Sequence, residues 1–170
     1  VSPSTPRMLL AVASAGVIAS LLTGCGILQS LTGGGDATRD ETGQVIEGNE
    51  ASDVFLMRVG DCLNDSASGD EVSQVPIVPC AEPHDSEIYS ELRLSGSEFP
   101  GVATIEEQAD EHCYTAFAEF VGVDYDSSEL YFSYYMPTEG SWNDFDDRLV
   151  SCVIVDPAGQ TTGSLKGAAR

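Results

Sequence analysis

"TIEEQADEHCYTAFAEFVG", residues 104–122, is the stretch on which the fold turns. Ile105, Ala109, Cys113 (or His112), Ala116, Phe117, Phe120 and Val121 recur at helical spacing and form one apolar stripe. Thr104, with Glu107 three residues on, reads as a capping box, and Glu106 and Glu107 suit the positive end of the helix dipole. Gly122 reads as the stop. One helix with one apolar face needs a partner layer, and the flanking sequence supplies strands.

Upstream, "SEIYSELRL" (86–94) alternates with period two, placing Ile88, Ser90, Leu92 and Leu94 on one face and Glu87, Tyr89, Glu91 and Arg93 on the other. "VFLMRVGDCL" (54–63) and "VSQVPIVPC" (72–80) read as two further strands around the turn-rich "NDSASGDE" (64–71), with Pro76 pushing the second toward a sheet edge. Downstream come the aromatic strand "ELYFSYYMP" (129–137) and the polar loop or short helical turn "TEGSWNDFDDR" (138–148). "LVSCVIVD" (149–156) is a β-branched run suited to a central strand, and "TTGSLKG" (161–167) a short last one. Short connections between strands predict an antiparallel sheet with one main helix packed across it, an α+β domain.

The N-terminal part reads differently. Arg7 precedes the uncharged run "MLLAVASAGVIASLLTG" (8–24), the pattern of an export signal. Its end, "LTGC" (22–25), resembles the bacterial lipobox, which implies that Cys25 is diacylated and begins the mature chain, anchoring it to the membrane. Residues 1–25 are therefore read as a lipoprotein signal peptide ending at Cys25, with an uncleaved membrane anchor or a cleaved signal without lipid as the alternatives. Residues 26–52, rich in Gly, Thr, Ser and acids with "GGG" at 33–35, are read as a flexible tether, and 53–167 as the folded domain. The expected location is the extracytoplasmic face of the cell membrane.

The 170 residues carry a formal net charge of −21. Beyond residue 24 there are 6 basic and 28 acidic side chains. Such a chain repels nucleic acid and anionic headgroups, which argues against both as partners. Four cysteines remain beside Cys25, an even number in an exported domain, and read as two disulfides; of the three possible pairings, Cys62–Cys80 with Cys113–Cys152 is favoured, because the first pair ends two adjacent candidate strands and the second joins the helix to the central strand.

Cys80, His84 and Asp85 stand within six residues in "PCAEPHDSEIY" (79–89). A Cys80–His84 nucleophile pair requires a free thiolate, which the disulfide reading removes. A zinc set of Cys80, His84, His112 and Cys113 is disfavoured because neighbours on a helix diverge by about 100°. The serine-nucleophile elbow is missing. "DYDSSE" (124–129) and "NDFDD" (143–147) offer carboxylates to a weak surface cation but depart from a full calcium loop. No catalytic residue and no cofactor is expected. His84 and Asp85 read first as corner-forming residues, with binding as the second reading. Trp142 reads as a cap on the core or, with Tyr131, Tyr134 and Tyr135, as an aromatic binding surface; Arg148 as a structural ion pair or a binding fork.

In order along the chain, "VGDCL" (59–63), "VPCAEPHDSEIY" (78–89), "FPG" (99–101), Cys113 with Phe117 and "FVG" (120–122), "MP…W…DRLVSC" (136–152) and "GSLKG" (163–167) resemble the septum-formation domain of actinobacterial exported and membrane-anchored proteins. The resemblance implies extracytoplasmic placement and an association with septum formation, and it brings no catalytic residues. The family often has Gly before the "DR", where this chain has Asp146. The resulting expectation is a non-enzymatic interaction module, with envelope or division proteins as partners. A ligand-binding or sensory domain for envelope components or divalent cations is the alternative.

Overall fold

In the computed structural model, residues 35–65 and 71–170 are described. The signal segment, Cys25 and the first part of the expected tether lie outside them. The described chain forms eight strands and two helices: β1 (Thr38–Arg39), β2 (Val45–Glu47), β3 (Asn49–Asp53), β4 (Cys62–Leu63), β5 (Gln74–Val78), β6 (Ser86–Arg93), α1 (Val102–Val121), β7 (Tyr131–Tyr135), α2 (Glu139–Phe145) and β8 (Leu149–Val155). Six strands make one antiparallel sheet, curled as a half-barrel, in the order β3-β5-β4-β6-β8-β7; β1 and β2 pair separately. The architecture is α+β, as the sequence predicts.

The helix buries Ile105, Ala109, Cys113, Phe117 and Val121 against Tyr89, Leu94, Leu130, Trp142, Val150, Cys152 and Ile154. Its stripe is the one read from the spacing. Its start is not. The cap is Gly101, at φ 92°, whose carbonyl accepts from the N–H groups of Thr104 and Ile105, so Thr104 lies inside the first turn. The "FPG" turn outcompetes the hydroxyl because only a residue free to take positive φ reverses the chain this sharply. A capping box does exist, at α2, where Thr138 and Ser141 exchange side-chain-to-backbone bonds of 3.0 Å each way. Gly122 ends α1 in the left-handed conformation, as expected.

The opposite face of the sheet carries a second core of Ala37, Met57, Leu63, Val75, Ile77, Ile88 and Val153. This face is covered by segments the sequence reading assigned elsewhere. Residues 35–52, the later part of the expected tether, supply β1, β2 and most of β3, and Ala37 is buried. The expected strand over 54–63 is a 3₁₀ turn (Val54–Leu56), a crossing segment holding Met57, and only two residues of strand. Composition concealed this because the hairpin is held by polar groups. Arg39 pairs with Asp61 and Asp36, and Arg58 pairs with Asp36 at 2.8 Å. Gly48, between β2 and β3, admits no side chain: a Cβ there would lie 2.7 Å from the Ile77 carbonyl oxygen.

Two register features follow from local chemistry. Pro76 lies in β5, an interior strand rather than an edge. Its missing N–H falls on the β4 side, where the ladder ends at Leu63 and the Pro76 carbonyl still accepts from the Asn64 N–H at 3.1 Å. In β6 the register against β8 shifts between Ile88 and Ser90. Ile88 therefore joins the second core while Tyr89 and Leu92 join the helix-side core, and strict alternation fails. The segment 161–167 contributes one bridge, Thr161 to His84, not a strand.

Candidate functional site

The Pro79–Tyr89 corner is built on the Cys62–Cys80 disulfide, whose Cα atoms are 5.2 Å apart. Cys62 pairs with Val78 on one side and Glu87 on the other, so the bridge ties the β4 ladder to the corner that links β5 to β6. The second disulfide, Cys113–Cys152, joins α1 to β8. Both pairings are those read from the sequence.

His84 is fully buried. Its backbone exchanges two 2.9 Å hydrogen bonds with Thr161. Its Nδ1 lies 2.8 Å from the Glu82 carbonyl oxygen, so that nitrogen carries the proton and donates, while Nε2 faces the Thr161 hydroxyl at 3.1 Å. The Asp85 N–H donates to the Leu63 carbonyl at 2.8 Å. The ring thus clamps the C-terminal loop to the corner. Beside it, Glu87 is 2% exposed and accepts from Ser164 Oγ at 2.6 Å and from the Leu165 N–H at 2.7 Å. Burial raises the pKa of its carboxyl above the ordinary range, against the opposing pull of Ser164, Leu165, His84 and Lys166. Period-two reading put Glu87 on an outward face. Nothing in its immediate sequence shows that "GSLK" (163–166) folds back over it.

Trp142 is 1% exposed, packed edge-on against Phe99, with its indole N–H donating to the Ser97 carbonyl at 3.2 Å. It caps the helix-side core, the first of its two readings. Arg148 stacks on it, with Cζ 3.7 Å from the ring centroid. The same guanidinium donates to the carbonyls of Gly96, Trp142 and Asp147 and pairs with Asp146 at 3.0 Å. Its donors are directed at its own loop and at the β6–α1 connection rather than outward as a fork. Tyr134 packs in the helix-side core, whereas Tyr135 packs against the opposite one, its hydroxyl 2.6 Å from Asp65. Burial first, then that carboxylate, raises the pKa of Tyr135 well above the ordinary tyrosine value. The tyrosines therefore do not assemble around Trp142. The corner leads into the start of β6 and the Trp142–Arg148 pair lies beyond its end, so the four candidate residues form two sites separated by about 25 Å of strand.

The zinc set is not assembled: Cys80 and Cys113 belong to different disulfides, and His112 bonds Ser90 at 2.9 Å. Of the two acidic loops, Asp126 accepts from Tyr114 at 2.9 Å, and Asp147 accepts from Ser141 and from the Leu149 N–H. Two shallow depressions of about 340 and 420 Å³ lie along α1, the second lined by Asp124, Tyr125 and Asp126, and neither touches His84 or Trp142. Among the described residues, no helix is long and apolar enough to cross a membrane.

Compared with known proteins, residues 22–152 match a family model described as septum formation. This extends further toward the N-terminus than the motifs quoted above, taking in the "LTGC" stretch and the hairpin, and it ends at Cys152. No curated protein and no solved structure matches the chain.

Proposed function

The chain belongs to the septum-formation domain family, and on that footing we propose that it is a lipid-anchored module on the outer face of the cell membrane, acting in septation or envelope assembly by binding a partner protein. The observation that carries the proposal is the family match over residues 22–152, which includes Leu22–Cys25, followed by a domain closed by two disulfides. Disulfides of this kind persist in oxidising compartments, which supports a domain that folds outside the cytoplasm. A binding rather than a catalytic role is supported by the way His84 and Arg148 direct their polar atoms at internal partners.

A Cys25→Ser variant is expected to leave the membrane fraction, and a fluorescent fusion to concentrate at forming septa. Uniform envelope labelling through division would remove the septal part of the proposal while leaving the anchor standing.

One observation favours the ligand-binding alternative. Phe55 and Phe145 are 50% and 71% exposed and lie against each other at 5.9 Å. Trp142 is three residues from Phe145 on α2, so its fluorescence reports on ligands at that pair. Emission unchanged by wall glycans, peptides or calcium counts against this reading.

A further inference from the structure

The two disulfides differ in their surroundings. Cys113 and Cys152 are both fully buried between α1 and β8. In the other bridge only Cys62 is fully buried. Cys80 is half-buried between the exposed residues Gly60 and Ala81, with its Sγ 3.5 Å from the Gly60 carbonyl oxygen. Sheet register sets Glu87 directly opposite Cys62. A carboxylate oxygen of Glu87 and both sulfurs lie within 4.8 Å of one another. Ser164 and Leu165 fix that carboxyl in place. A half-buried sulfur beside a fully buried one gives attack a preferred side, because access and the sulfur attacked set the rate of thiol exchange, and a buried acid stands next to the leaving sulfur.

The geometry points to Cys62–Cys80 as a thiol-exchange site for a dithiol, with Cys80 as the sulfur attacked and Glu87 as the proton donor to Cys62. A thiolate of the dithiol bonds to Cys80 Sγ. The Cys80–Cys62 bond breaks and its electron pair leaves on Cys62, which takes the Glu87 proton. This leaves a Cys62 thiol and a Glu87 carboxylate. The second thiol of the dithiol then displaces Cys80, which is protonated from water as the dithiol closes its own disulfide. The protein disulfide gains two electrons and the dithiol loses two; Glu87 regains its proton from solvent. Burial raises the pKa of Glu87 from its ordinary value, the direction that suits a donor. The titratable groups acting on it are His84 and Lys166, while β4 and β8 on either side present Cys62 and Ile154.

The test treats the folded full chain with limiting dithiothreitol, traps thiols with a maleimide and maps the labelled peptides. Cys62 and Cys80 are expected to label at least about ten-fold faster than Cys113 and Cys152, because access governs attack. Glu87→Gln should slow that opening about ten-fold. It should also remove a fall in rate, measured relative to an unstructured disulfide, as the pH rises through the Glu87 titration. Equal rates for the two bridges, or Cys113–Cys152 opening first, overturns the site. An unchanged rate and pH profile in a folded Glu87→Gln chain overturns the role of Glu87. Should that variant not fold, the labelling order and pH profile of the unaltered chain decide both points.

Discussion

Asp146 ends α2 at φ 55° and ψ 31°, in the left-handed region that an L side chain occupies at a cost of about 1–2 kcal/mol. The resemblance drawn from the sequence sets it apart as a residue standing where Gly is expected, and the backbone conformation is one that favours Gly. Asp tolerates the conformation better than most residues, and its carboxylate, 80% exposed, pairs only weakly with Arg148, whose guanidinium keeps its carbonyl partners without it. Asp146→Gly is therefore expected to raise the melting temperature by about 2 °C, and Asp146→Val to lower it by several degrees, in thermal unfolding followed by circular dichroism. Glu87 gives a second expectation at this scale. Burial lets it hold its proton to a higher pH in the folded chain than in the unfolded one. Its contribution is complete below the ordinary glutamate value and is lost as the pH rises through the raised, folded value. Asp156 has the opposite sign: its hydrogen bond from Arg170, then that from the Ala158 N–H, lower its pKa, so its contribution is lost as the pH falls. Urea unfolding at a series of pH values should show the first slope in the parent chain and not in Glu87→Gln.

At the scale of elements, the β1–β2 hairpin is held to the domain by a buried pair. The side chains of Arg39 and Asp61 are 8% and 2% exposed. The hydrogen bond to Asp61 outweighs burial and, with Asp36, raises the pKa of the guanidinium still further above its ordinary value. Removing one partner leaves the other charge buried. Arg39→Ala is accordingly expected to cost about 3–5 kcal/mol, with amide exchange in residues 36–47 rising before that of α1. The hairpin also shows why some elements were legible in the sequence and others were not. The stripe of α1 and the β-branched run of β8 bury apolar side chains at regular spacing, and spacing is what a sequence displays. β1, β2 and the crossing segment after β3 depend on long-range polar pairs, such as Arg39 with Asp61, between residues that look solvated in isolation. Pro76 looks like an edge marker in the sequence because the gap that accommodates it comes from the early end of another strand, β4. The candidate site divides in the same way. Both disulfides followed from cysteine parity and the placement of elements. Glu87, which completes the corner, is buried by a loop 77 residues further along the chain.

For the molecule as a whole, the sheet carries a core on each face and each disulfide secures a different one of its junctions. Cys113–Cys152 spans 39 residues and links helix to sheet through the helix-side core. Loop-closure entropy gives it about 4 kcal/mol, against about 3 kcal/mol for Cys62–Cys80 with its span of 18. Replacing Cys113 and Cys152 together by alanine should lower the unfolding free energy by about that larger amount, measured in urea. Replacing Cys62 and Cys80 should cost less and leave the α1 core protected. The covalent loops enclose residues 62–80 and 113–152, so everything from Gly35 to Asp61 lies outside both. Seen mechanically, the domain has a compliant leader in series with a stapled body. Tension on the N-terminal side reaches the Arg39–Asp61 clasp first. Beyond it, β3 can unzip from β5, releasing up to about 90 Å of chain before load reaches Cys62. Over that extension the load bypasses both covalent loops, so α1 and β8, joined through Cys113–Cys152, lie outside the stretched segment.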